Sequence, residues 1–138
     1  MELSIHNLDT KLSVGEKNIV DLIERTANKL KMDIQSVHII FVDDEKLRTM
    51  HEYYLGDPDY TDVMTFNLGN SVIEAEIYIS TDRVKDNAKT FEVSIENEIL
   101  RTIIHGLLHL KGYKDKEDHE KKIMKQREEE LLNQLYRV

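Results

Sequence analysis

Two hydrophobic periods alternate along the chain and divide it into strands and helices. Residues Glu2 to Asn7 set Leu3 and Ile5 between polar neighbours, a period of two that predicts a strand. Ser13-Val14-Gly15-Glu16 resembles a capping box, and Ile19, Val20, Ile23, Ala27 and Leu30 follow it at helical spacing. Val37 to Val42 is a short β-branched run that predicts a buried strand. Asp43 and Asp44 offer a cap to a helix with Leu47, Met50 and Tyr54 on one face, and Gly56-Asp57-Pro58-Asp59 ends it. Thr61–Asn67 and Glu74–Ser80 both alternate at period two. The short connection around Gly69-Asn70 predicts that they pair as an antiparallel hairpin.

The second half is helical in period. A short helix is expected from Thr81 to about Lys89, and a longer one from about Ser94 to Leu110, with Gly112 placed to end it in a left-handed cap. The last helix runs from about Lys116 to Leu135. It carries mixed charge and one apolar stripe, Met124, Leu131 and Leu135, so it docks by one side. Strands and helices are intermixed without a strict βαβ rhythm. The expected fold is α+β, one domain over residues 1–138, with about five helices packed on a mixed four-stranded sheet.

Composition narrows the class. A length of 138 residues suits one core, and the apolar and charged fractions, 40% and 33%, are ordinary for a soluble protein. No apolar run approaches the roughly 20 residues of a membrane helix. The start, Met-Glu-Leu-Ser-Ile-His-Asn, lacks the features of a secretory signal, so a cytoplasmic location is expected. With no cysteine, a disulfide scaffold and a thiolate zinc site are excluded, and any metal must be held by histidine and carboxylate. Nineteen basic and 27 acidic residues give a net charge of −8, which argues against binding a polyanion by broad electrostatics alone.

Chemistry concentrates in one segment. The helix around Ile99, Ile103, Ile104, Leu107 and Leu108 is apolar over most of its circumference, hence central and buried. Two histidines interrupt it, His105 and His109. Positions four apart differ by only about 40° around the axis, so both imidazoles can reach one ion. Asp115 arrives six residues after His109, beyond the turn at Gly112, and is the expected third ligand. Three ligands leave an open position for water, the pattern of a hydrolytic zinc site. Asp115 has a competing role as N-cap of the last helix, and His119 is the competing third ligand. Zinc proteases place a glutamate directly after the first histidine; here Gly106 stands there, which removes the protease base. His51-Glu52 is followed by Leu55 where such a motif needs histidine.

Three stretches together resemble the YbeY family of metal-dependent endoribonucleases. Its signature H-G-x-L-H-L-x-G-Y-D-H is compatible with nine of eleven positions from His105 to Asp115. Its strand motifs T-D-V-L-S-F and G-D-I-x-I-S correspond to Thr61–Phe66 and Ala75–Ser80. The resemblance implies an α+β fold around a zinc-like ion, with other divalent metals admitted. It further implies cleavage of single-stranded RNA, work in small-subunit ribosomal RNA maturation and ribosome quality control, ribosomal partners, and no nucleotide cofactor.

Three departures stand out. Asp115 replaces the family's third histidine, which lowers the site's charge and suits harder ions. The arginine that members usually carry shortly before the T-D-V motif is missing near Leu55. Ala75 and Glu76 soften the second strand motif. Thr61, Asp62 and Thr65 are expected to shape the cleft. Arg101, one turn before His105, is expected either to reach a phosphate or to pair with Glu98. No catalytic base is assigned, and the nucleophile is either an activated water or the RNA 2′-hydroxyl. Two rivals remain at this level: a metal-dependent hydrolase of another substrate, and a ribosome-associated factor with a structural metal.

Overall fold

The computed structural model describes residues 1–9, 12 and 14–136. The elements follow in the order β1 (Glu2–His6), α1 (Glu16–Lys29), β2 (Ile34–Val42), α2 (Asp44–Leu55), β3 (Val63–Asn67), β4 (Ile73–Ser80), α3 (Thr81–Thr90), α4 (Ile95–Lys111) and α5 (Asp118–Leu135). The strands form one mixed sheet in the order β1-β2-β4-β3. β1 and β4 both run parallel to β2, while β3 pairs antiparallel with β4 as the expected hairpin, Thr65 opposite Ile77. β3 is therefore an edge strand.

Local chemistry sets most boundaries. Asp43 caps α2 by accepting a bond from the Lys46 N–H at 2.7 Å. Asp44 is instead tied to Ser80 and Arg83. Ser80 and Ser94 cap α3 and α4, accepting from the N–H groups of Arg83 and Asn97. Ser13 of the anticipated capping box lies outside the described residues, and the observed N-cap of α1 is Gly15. β2 starts at Ile34, earlier than its β-branched run suggests, because Ile34 and Ser36 also pair with β4.

Alternate residues of the inner strands, Val37, Ile39, Phe41, Ala75, Ile77 and Ile79, are buried to 2% exposure or less and form one wall of the core. α4 provides the other. Its residues Ile99, Leu100, Ile103, Ile104, Leu107 and Leu108 are all but inaccessible, and it contacts α1, α3, α5 and both hairpin strands. Close approach is allowed by Gly106. A Cβ there would lie 2.9 Å from Thr65 Oγ1 and 3.1 Å from the tip of Ile77. Glycine at this position thus serves helix-to-sheet packing, and lets α4 carry its histidines close to the edge strand.

Candidate metal centre

α4 presents His105 and His109 one turn apart, half-buried. The helix ends at Gly112, whose φ of 115° few other residues adopt. The chain then doubles back: the Tyr113 N–H bonds to the Leu108 carbonyl at 3.0 Å, and Asp115 returns toward the imidazoles. Asp115 Oδ2 stands 3.2 Å from Nε2 of each histidine, and the two Nε2 atoms are 3.0 Å apart. Asp115 does not cap α5. The N-cap is Glu117, whose backbone N–H bonds to the Glu120 side chain at 3.0 Å. His119 is 70% exposed and lies beside Glu117, apart from the cluster.

The partners of the other ring nitrogens decide what this triangle can hold. His105 Nδ1 lies 2.5 Å from Glu128 Oε2, and His109 Nδ1 lies 3.0 Å from the Tyr113 carbonyl. Carboxylate and carbonyl only accept, so each Nδ1 carries the proton and donates it. Each Nε2 is then left with a lone pair. Three acceptors converge at 3.0–3.2 Å, a repulsive arrangement unless a proton or cation sits among them. Ligand bonds of about 2.0–2.2 Å in a tetrahedron span a donor–donor edge of about 3.3 Å, close to the edges seen. The residues fit a small divalent cation with three protein ligands.

A buried ionic network stands behind the triangle. Arg101 binds Glu98 through two nitrogens and Glu128 Oε1 at 2.7 Å, and lies 3.5 Å from Asp62. Glu98 and Glu128 are 1% and 3% exposed. One guanidinium thus faces three carboxylates, and the surplus negative charge again favours a nearby cation. Burial pushes the Arg101 and His105 pKa values down, and the neighbouring carboxylates more than reverse it, so both end above their ordinary values. For His105 the raising groups are Glu128 first, then Asp62 and Asp115. Without an ion, a proton on His105 relieves the crowding of acceptors.

Residues 4–136 match the family model described as endoribonuclease YbeY. The chain belongs to the YbeY family. Curated relatives bearing that name include proteins of Christiangramia forsetii, 38% identical over 85% of this chain and 82% of the relative, and of Cytophaga hutchinsonii, 42% identical over 91% and 90%. Among solved structures, a Thermotoga maritima protein determined in solution superposes with a TM-score of 0.62. It is 27% identical and is covered to 90% by 96% of this chain.

Within this YbeY chain two cavities meet at the triangle. A groove of about 430 Å³ follows edge strand β3 and is lined by Thr61, Asp62 and Thr65, with His51 and Leu55 from α2. Thr61, Asp62 and Thr65 line the cleft as expected, but β3 begins only at Val63, so Thr61 and Asp62 reach it from the loop before the strand; Leu55, where the family arginine is missing, is 66% exposed at the same groove. A second cavity of about 600 Å³ lies on the α5 side, and Asp62, His105 and Asp115 line both. Of the two roles open to Arg101, the ion pair with Glu98 is the one observed. Two residues were not anticipated from sequence. His51 enters the groove from α2, held by its Nδ1 at 2.9 Å from the Asp59 carbonyl. Glu128 orients His105, and its signal was its place in the phase of the apolar stripe: Met124, Glu128 and Leu131 share one face of α5.

Proposed function

We propose that this chain is a metal-dependent endoribonuclease that hydrolyses single-stranded RNA, acting in small-subunit ribosomal RNA maturation and ribosome quality control. The chain works as a single metallo-endoribonuclease domain, in the cytoplasm, with ribosomal RNA and ribosomal proteins as partners. The observation that carries this reading is the convergence of His105 Nε2, His109 Nε2 and Asp115 Oδ2, three acceptors that fit one cation. Membership of the YbeY family supplies the substrate class. No described helix is long and apolar enough to cross a membrane, in keeping with a cytoplasmic role.

His105, His109 and Asp115 would hold zinc, and the carboxylate also admits harder divalent ions. A divalent ion bound there supplies Lewis-acid polarisation of a phosphoryl oxygen and a lowered pKa for water. The protein does the rest. Glu128 and the Tyr113 carbonyl fix the tautomer and direction of both imidazoles. Arg101 holds Glu128 in place through a 2.7 Å bond to its other oxygen. Thr61, Asp62 and Thr65 border the groove through which a strand of RNA would pass the centre.

The test replaces His105 and His109 together with alanine. The double variant should lose its metal, by elemental analysis, and its cleavage of unstructured RNA. Undiminished metal and cleavage would sink the proposal. Chelation should abolish RNA cleavage by the wild type. A chelated protein that merely melts earlier, having shown no activity when loaded, would point to a structural metal, and peptide hydrolysis in place of RNA cleavage to another hydrolase.

A further inference from the structure

The groove along β3 contains no lysine or arginine among its described lining residues. A phosphodiester chain on that side of the centre meets Asp62, Asp115 and three imidazoles, and no permanent cation of the protein. The second cavity is different in kind. Phe91, Val93 and Met124 line it with apolar surface, and Lys121 and Lys125 join them from α5. The two lysines are four residues apart and therefore on one face of the helix, one turn apart. Neither forms an ion pair among the described residues, in a chain where acidic groups outnumber basic ones. Arg101, the remaining cation of the lining, is fully engaged by carboxylates. The five acids of the same lining are committed too: Asp62, Glu98 and Glu128 face Arg101, Asp115 belongs to the triangle, and Glu129 has a partner of its own. Lys121 and Lys125 are thus the uncommitted charge of this cavity. Phe91, the residue that ends α3, is 59% exposed, a large ring left on the surface beside them.

An aromatic face with apolar walls suits a nucleobase, and free ammonium groups suit its phosphate. The volume exceeds what one nucleotide needs, and the cavity shares His105 and Asp115 with the metal centre. We propose that this cavity is a nucleotide subsite, in which one base of the RNA strand stacks on Phe91 while Lys121 and Lys125 hold the adjoining phosphate. It rests on the endoribonuclease function proposed above and deepens it. It also locates phosphate-binding charge in a chain that lacks the family arginine near Leu55: the charge sits on the opposite side of the ion, on α5.

The experiment uses a fluorescent single-stranded RNA oligonucleotide and three variants of the full chain: Lys121→Gln with Lys125→Gln, Phe91→Ala, and Phe91→Trp. All three positions are exposed, so melting temperatures should stay at the wild-type value. Binding is read by anisotropy over a salt series with chelator present, so that the ion takes no part, and cleavage is read separately with zinc. The double lysine variant should bind several-fold more weakly at low salt, and the slope of log affinity against log salt should flatten by about 0.7, the loss of one single-strand phosphate contact. KM should rise with it while kcat changes little. Phe91→Ala should weaken binding about five-fold or more, and Phe91→Trp should restore it. An abasic nucleotide beside the cleavage point should erase the difference between Phe91→Ala and wild type. Wild-type affinity and salt slope in the lysine variant, with normal cleavage, would overturn the subsite and leave the nuclease standing. Lysine and phenylalanine variants that cut RNA normally but lose an acidic protein partner would overturn it in favour of a docking site. A wild type that neither binds nor cuts the oligonucleotide counts against the nuclease itself.

Discussion

Glu128 Oε2 lies 2.5 Å from Nδ1 of His105, although the two residues sit on different helices. A carboxylate behind a ligating histidine fixes which nitrogen is free and raises its basicity. Glu128→Gln keeps the shape and removes the charge. Zinc affinity, measured by competition with a chromophoric chelator, is expected to fall about 10- to 100-fold. An unchanged affinity would show that α5 does not tune the centre.

The raised pKa of His105 sets a pH dependence with opposite signs in the two forms. In the metal-free protein the proton is bound more tightly folded than unfolded. That contribution is complete below the ordinary imidazole value of about 6.5 and fades as pH climbs through the higher folded value. Zinc competes for the same Nε2, so its affinity rises over the same window. Calorimetry just above about pH 6.5 should therefore show melting temperature falling with pH without metal, and stability gained from saturating zinc growing. His105→Gln should flatten both trends.

Gly106→Ala weighs helix propensity against packing. Alanine gains up to about 1 kcal/mol in a helix interior, while a Cβ 2.9 Å from Thr65 Oγ1 forces a core shift of about 1–3 kcal/mol. Packing should win, with a net loss of about 1 kcal/mol and a melting temperature several degrees lower. Gly106→Glu recreates the protease motif on paper. It should destabilise far more, because its stem starts toward Thr65 and Ile77, and it should confer no peptide hydrolysis.

Asp115 and His119 make opposite predictions. Asp115→Ala should reduce bound zinc, by elemental analysis, more than Glu128→Gln does. His119→Ala should leave it unchanged, since that ring is 70% exposed beside Glu117. Asp115→His should retain metal and shift preference from harder ions toward zinc.

How far the sequence could be read depended on the range of each interaction. The paired imidazoles of α4 were legible because a helix fixes residues four apart. The hairpin was legible because its turn and alternation are local. Asp115 was ambiguous, since capping and ligation use the same carboxylate at the same place; the N-cap at Glu117, whose backbone N–H donates to the Glu120 carboxylate, removed one option. Strand order was hidden, because which strands neighbour β2 depends on contacts between distant segments. His51 was hidden for the same reason, and Glu128 was marked only by its place in the apolar phase of α5. A glutamate among charged neighbours on a surface helix looks solvated until the helix docks, and His51 reaches the groove only through the packing of α2 near β3.

The network of Arg101, Glu98 and Glu128 joins α4 to the helix that follows it in the chain. Synthesis runs from the first residue onward, so both imidazoles leave the ribosome before the carboxylate that aims one of them. A nascent or truncated chain ending before Glu128 carries the histidines with His105 unaligned and Arg101 short of a partner. The alignment of His105 is thereby coupled to the docking of α5, which brings Glu128 to it only once the last helix has been made.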